Sequence, residues 1–138
     1  MNVTMTGTMT GGPPAAMLRA ATFKANLMTE QVIVALSSCP DEATAQRLAQ
    51  ALVSERLATC VNRLPGMTST YFWDGRLQDE AETLLIIKTT AARLAELQAR
   101  LTALHPYELP ELVALPVAGG NEPYLQWVRN GVSRQGRT

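Results

Sequence analysis

From Glu30 onward the spacing of apolar positions changes period several times, and each change marks an element. Val32-Ile33-Val34-Ala35-Leu36 is an unbroken apolar run of strand length, the pattern of a strand covered on both faces. It predicts a central strand. Ser37 to Glu42 then carries the signals of a helix start: a serine can cap, Pro40 suits the first turn, and Asp41 and Glu42 meet the positive end of the helix dipole. The helix that follows sets Ala45, Leu48, Ala49, Leu52 and Val53 on one stripe, with Gln46, Arg47, Gln50 and Glu55 off it. It ends before Ala58.

The stretch 58–90 predicts a hairpin. One strand-like run climbs from Ala58 through Pro65-Gly66 to Tyr71-Phe72-Trp73, and a second runs from Leu77 to Thr89. Asp74-Gly75 joins them, with glycine accepting the positive φ that a tight turn requires. Each arm can reach about 10–14 residues where a typical strand has about 5 or 6, so the hairpin overshoots the core of a small domain. Tyr71 and Trp73 share one face and Phe72 takes the other. Large aromatics on an overshooting tip predict subunit contacts rather than a cofactor box.

Thr89 or Thr90 then caps a second helix, whose Leu94, Leu97, Leu101 and Leu104 recur at spacings of three and four, with Arg93, Glu96 and Arg100 outside. Pro106 stops it. Leu112 to Leu115 predicts a fourth strand closed by Pro116, and Gly119-Gly120-Asn121 a turn that caps a short last helix, 124–130, carrying Trp127. The order β-α-β-β-α-β with one extra C-terminal helix predicts an α+β, ferredoxin-like sandwich with a long β-hairpin. Two helices on one side of an antiparallel sheet leave the other side bare, and with exposed strand edges this predicts a homo-oligomer.

Composition narrows the function classes. The chain has 138 residues, the size of one domain. Twelve basic and twelve acidic groups cancel, and no basic cluster is present, which argues against a nucleic-acid partner. No apolar run approaches the ~20 residues of a membrane helix, so no membrane partner is expected. Two cysteines, Cys39 and Cys60, are too few for a disulfide scaffold, which predicts a reduced, cytoplasmic setting. Residues 1–29 are Met-, Thr- and Gly-rich at first, with no acid before Glu30, and predict a disordered N-terminal extension ahead of a folded domain at 30–131 and a flexible tail at 132–138. A transit peptide, or a start at Met17 or Met28, are the other two accounts of that extension. No nucleophile triad or phosphate-binding glycine loop is present, so no enzyme is expected.

The candidate chemistry concentrates in His105-Pro106-Tyr107-Glu108-Leu109-Pro110-Glu111, where an imidazole, a phenol and two carboxylates stand between prolines that favour an extended pocket wall. His105 has two available roles, a contact to the last helical carbonyls or a ligand. Cys60, mid-strand, is a core filler or a ligand. Cys39 adjoins a helix N-terminus that would lower its thiol pKa, and is either a cap-region residue or a reactive, metal-binding thiol. Lys88 is a solvated strand end or a pocket cation.

Pro40-Asp41-Glu42-Ala43, Ala58-Thr59-Cys60-Val61-Asn62, Pro65-Gly66, Tyr71-Phe72-Trp73-Asp74-Gly75, Ile87-Lys88-Thr89, His105 through Glu111, and Tyr124-Leu125-Gln126-Trp127 together resemble CutA, the divalent-cation-tolerance family, over about residues 30–131. The resemblance implies a ferredoxin-like subunit in a tight homotrimer, with each hairpin completing sheets in its neighbours and Tyr71 and Trp73 at the contact. It implies a link to tolerance of copper and other divalent metals, with no assigned reaction. In copper-associated bacterial members the ligands are a cysteine ending the first strand and a histidine pair before Pro-Tyr. Here Ser37 and Leu104-His105 stand at those places, leaving Cys39, Cys60 and His105 as metal donors, with Met67 as a thioether. The same resemblance sets Lys88, Tyr107, Glu108 and Glu111 around an intersubunit pocket. The alternative is a trimeric small-molecule- or protein-binding signalling module of PII-like fold, without catalysis. In that relative a long mobile loop separates the middle strands, whereas Asp74-Gly75 closes them directly.

Overall fold

A computed structural model describes residues 12–21 and 30–134. The folded domain runs β1 (Val32–Cys39), α1 (Glu42–Ser54), β2 (Cys60–Trp73), β3 (Arg76–Thr90), one turn of 3-10 helix (Ala91–Arg93), α2 (Leu94–Leu104), β4 (Val113–Pro116) and α3 (Glu122–Val132). The strands form one antiparallel sheet in the order β2-β3-β1-β4. β1 is central, as its apolar run predicts, and it continues to Cys39 because Ser37, Ser38 and Cys39 still pair with Leu85, Leu84 and Thr83.

Local chemistry accounts for the boundaries. Asp41, not a serine, caps α1: its carboxylate accepts the Thr44 amide at 2.7 Å, and that bond holds its carboxyl below the usual range. Asp74 (φ 52°) and Gly75 (φ 74°) make the predicted two-residue turn, with both φ values positive as the hairpin twist requires. At Pro65-Gly66 the strand bulges: Leu64 faces Leu84 and Met67 faces Glu82, so two residues of β2 oppose one of β3, with Gly66 at φ 83°. The bulge reverses the alternation of β2. Tyr71 and Trp73 therefore share a sheet face with Leu64 and Cys60.

The other face carries the core. Ala35, Cys39, Leu85 and Ile87 meet Leu48 and Leu52 of α1 and Leu97 and Leu101 of α2, all buried. The buried hydroxyls there are satisfied, Ser37 donating to the Glu111 carbonyl at 2.8 Å and Thr89 to that of Leu57 at 2.7 Å. Val53 and Leu104 lie at the margins of their stripes and are exposed. The sheet side predicted to be bare is covered at one end, where Leu125 and Val128 of α3 close over Val32. The rest stays open, with Leu64 55%, Val113 48% and Leu115 47% exposed on one apolar surface.

Residues 15–21 are helical and exposed throughout, where the sequence predicts no order. Pro13-Pro14 followed by alanine, methionine, leucine and arginine supplies an N-terminal proline and strong helix formers, which is enough for two turns. Residues 1–11, 22–29 and 135–138 of the predicted extension and tail lie outside the described residues. At the C-terminal end α3 passes through Gly131, where the sequence predicts a stop, because Gly131 rests against Thr59, whose hydroxyl donates to the Val128 carbonyl. A Cβ at Gly131 would stand 2.5 Å from the Thr59 side chain. Gly131→Ala is therefore expected to cost about 1–2 kcal/mol net, overpacking outweighing alanine's better helix propensity. Urea unfolding measures this, and an unchanged or raised midpoint would show that α3 can reseat.

Candidate functional site

The segment after α2 is built on His105. The residue before a proline avoids helical geometry, and His105 (φ −78°, ψ 137°) leaves the helix in extended form, its own amide still bonded to the Leu101 carbonyl. The ring is buried. Nε2 lies 2.8 Å from the Ser38 carbonyl, and Nδ1 lies 3.1 Å from the Tyr107 amide. A carbonyl only accepts and an amide N–H only donates, so the ring is the Nε2–H tautomer with both nitrogens engaged. It pins Tyr107 over the end of β1, with the two rings 4.7 Å apart.

The predicted metal donors are brought together only in part. Cys39 Sγ lies 4.0 Å from His105 Nε2, fully buried. Burial, then the charges of Asp41 and Glu82, pushes its thiol up to about 11, opposite to the lowering predicted from the helix N-terminus. The capping carboxylate and the dry surroundings outweigh the dipole. Cys60 faces Lys88 on β3 while Cys39 is level with Thr83, five residues along the strand, or about 16 Å. Met67 is opposite Glu82. Among the described residues no group of three His, Cys, Asp or Glu side chains is placed to hold a metal ion.

Within one subunit Lys88 stands apart from Tyr107, Glu108 and Glu111, with which the resemblance groups it around a pocket between subunits. It is six residues from Glu82 along β3, about 20 Å, and its Nζ sits over the Tyr124 ring of α3, 5.6 Å from the centroid. Tyr107, Glu108 and Glu111 do line a common cavity, of about 580 Å³, between their own segment and the hairpin. Tyr71 and Trp73 form its hairpin wall, and Ser38 and Glu82 also line it. Glu82 is the residue that sequence patterning misses. It sits in the polar run Arg76 to Glu82, which looks solvent-facing, yet it is only 8% exposed because the Tyr107 segment folds over it. The Tyr107 hydroxyl donates to Glu82 Oε2 at 2.9 Å. Burial first and that bond second raise the phenol above its ordinary pKa, and burial followed by the Glu82 charge raises the carboxyl of Glu111. Among the described residues three carboxylates line the cavity and no Lys, Arg or His side chain does.

The model of the CutA1 divalent ion tolerance protein family matches residues 33–131, from the second residue of β1 to the residue before the last of α3. The chain belongs to that family. It is 51% identical over 96 residues to the divalent-cation tolerance protein CutA of Thermus thermophilus, spanning 70% of this chain and 93% of that protein. It is 41% identical over 119 residues to human Protein CutA, spanning 86% of this chain and 66% of the human one. The crystal structure of CutA from Xylella fastidiosa matches with a TM-score of 0.73 at 43% identity, over 75% of this chain and 99% of that one. Membership is what the motifs from Pro40 to Trp127 imply, and the α+β architecture with its four-stranded antiparallel sheet is the family's.

Proposed function

We propose that this protein acts in tolerance of divalent cations, as a homotrimer in the cytosol, without catalysing a reaction. The observation that carries this is the family match across the entire folded domain. The trimer is supported by the open apolar face around Leu64, Val113 and Leu115, and by a hairpin whose Phe72 and Leu77 are 74% and 63% exposed. The cytosol is supported by two unpaired cysteines.

The donors suit copper by softness but do not fit a resident ion within one subunit: both His105 nitrogens are engaged, the Cys39 thiol is raised, and Cys60 is remote. Tolerance is therefore assigned to the assembled protein rather than to a stored metal. A bacterial host lacking its own family member is expected to grow poorly on elevated copper and to recover when it expresses this chain. Failure to restore growth from protein that sediments as a trimer would remove the tolerance assignment, and sedimentation at the mass of one chain would remove the trimer. The second reading, a binding module without catalysis, is favoured by one observation, the acidic, aromatic-walled cavity beside the hairpin.

A further inference from the structure

We propose that the cavity between the start of α2 and the C-terminal half of α3 binds a phosphate group, free or carried by a small molecule. None of its lining residues belongs to the surface assigned to the subunit contact, and the site is independent of the tolerance reading.

The cavity, of about 410 Å³, is lined by Arg93, Arg129 and Arg134, with Glu30 the one acid among the described residues of its wall. Charge therefore selects an anion. Two acids outside the lining hold the arginines in place, Glu96 meeting Arg93 and Arg134, and Glu122 meeting Arg129 at 2.8 Å. These pairs leave donors over. Arg93 spends Nε on the Val132 carbonyl and Nη1 on Glu96, and Arg129 spends Nε on the Glu30 carbonyl and Nη1 on Glu122. Nη2 of each has no partner among the described residues, and Arg93 is only 9% exposed.

Thr90 points to the same occupant. The sequence predicts it as a helix cap, but its hydroxyl caps nothing and has no partner among the described residues, although the residue is only 5% exposed. No fully enclosed side-chain oxygen among the described residues lacks a partner, so this hydroxyl opens on the cavity that Thr90 lines. The 3-10 turn beside it runs directly into α2, giving one helical run from Ala91 to Leu104 whose first turn carries no side-chain cap. Ala92, in that first turn, also lines the cavity. Free amides and the positive end of the dipole favour an oxyanion there. The donors thus come from two elements, the start of α2 on one side and Arg129 of α3 with Arg134 beyond it on the other. A tetrahedral phosphate presents oxygens to both, whereas a carboxylate offers two oxygens in one plane. The volume exceeds that of phosphate alone and lies within the usual range for small-ligand pockets.

The test uses the full chain in its native assembly at about 0.15 M salt, where general attraction to surface charge is screened. Calorimetric titration with inorganic phosphate and with glycerol 3-phosphate is expected to show saturable binding, and glycerol none. Matching affinities for the two anions assign free phosphate, and a tighter monoester assigns a phosphorylated small molecule. Thr90→Val and Arg129→Gln are each expected to weaken binding about tenfold, the scale of one hydrogen bond to a charged group, without changing the sedimentation coefficient. Arg100→Gln, at an exposed arginine outside the lining, should change nothing. The proposal is overturned by no saturable heat with either anion, as when a neighbouring copy fills the cavity, or by affinity indifferent to both Thr90→Val and Arg129→Gln. An equal loss in Arg100→Gln also overturns it, because that marks attraction to any basic surface. Growth on copper is a separate readout, so each of these results leaves the tolerance assignment standing.

Discussion

His105→Ala is expected to lower the stability of the subunit by about 3–5 kcal/mol. The ring joins the end of β1 through the Ser38 carbonyl to the start of the 105–111 segment through the Tyr107 amide, and adds a tilted contact to the Tyr107 ring. Alanine leaves a buried carbonyl and a half-buried amide unpaired, at about 1–3 kcal/mol each with the amide at the lower end, and forfeits a ring contact of about 0.5–1.5 kcal/mol. The single substitutions separate these contributions. Asparagine places an acceptor near the position of Nδ1 and glutamine a donor near that of Nε2, so each should recover about 1 kcal/mol by restoring one bond. Urea unfolding of the metal-free protein measures the series. A histidine serving as a metal ligand behaves oppositely, its loss sparing the metal-free protein and weakening copper binding. Full stability in His105→Ala with copper binding abolished would overturn the structural role.

How far the sequence discloses such a site depends on the distance over which each feature is decided. The hairpin is legible because Asp74-Gly75 settles its turn within two residues, and the helices because Leu48, Leu52, Leu97 and Leu101 repeat at helical spacing. The cavity is not legible in the same way. Glu82 is buried by Tyr107, 25 positions later, and nothing in the polar run from Arg76 announces it. The bulge at Pro65-Gly66 decides which face Tyr71 and Trp73 share with Leu64, and a simple period-two count across it gives the wrong side. Cys39 illustrates a competition that local patterning leaves open: a helix N-terminus lowers a thiol pKa, burial beside Asp41 and Glu82 raises it, and burial wins. Lys88 stands six strand residues from Glu82 within the subunit, a span that does not decide the pocket between subunits in which the resemblance sets it.

Trp73→Ala should break the proposed trimer while leaving the subunit folded. The tip of the hairpin, beyond the bulge, is held by a continuous ladder from Met67–Glu82 to Trp73–Arg76, so truncating one side chain removes no backbone pairing. What it removes is apolar area. Trp73 is 50% exposed in the single subunit, so about 100 Å² of its surface is free to be covered by a neighbour. At about 25 cal/mol per Å² that is about 2–3 kcal/mol per contact, and threefold symmetry repeats the loss at every interface, for about 6–9 kcal/mol in the assembly. A loss of that size moves dissociation into the concentration range of sedimentation equilibrium. Because Tyr71 and Trp73 lie on one face of β2 and Phe72 on the other, Phe72→Ala is the matched comparison. Dissociation by Trp73→Ala alone places the neighbour over the cavity side, and dissociation by Phe72→Ala alone places it against the helix-bearing side. A trimer that sediments unchanged at low concentration with both substitutions would show that the hairpin tip does not hold the assembly together, leaving the apolar sheet face around Leu64 and Val113 to do so.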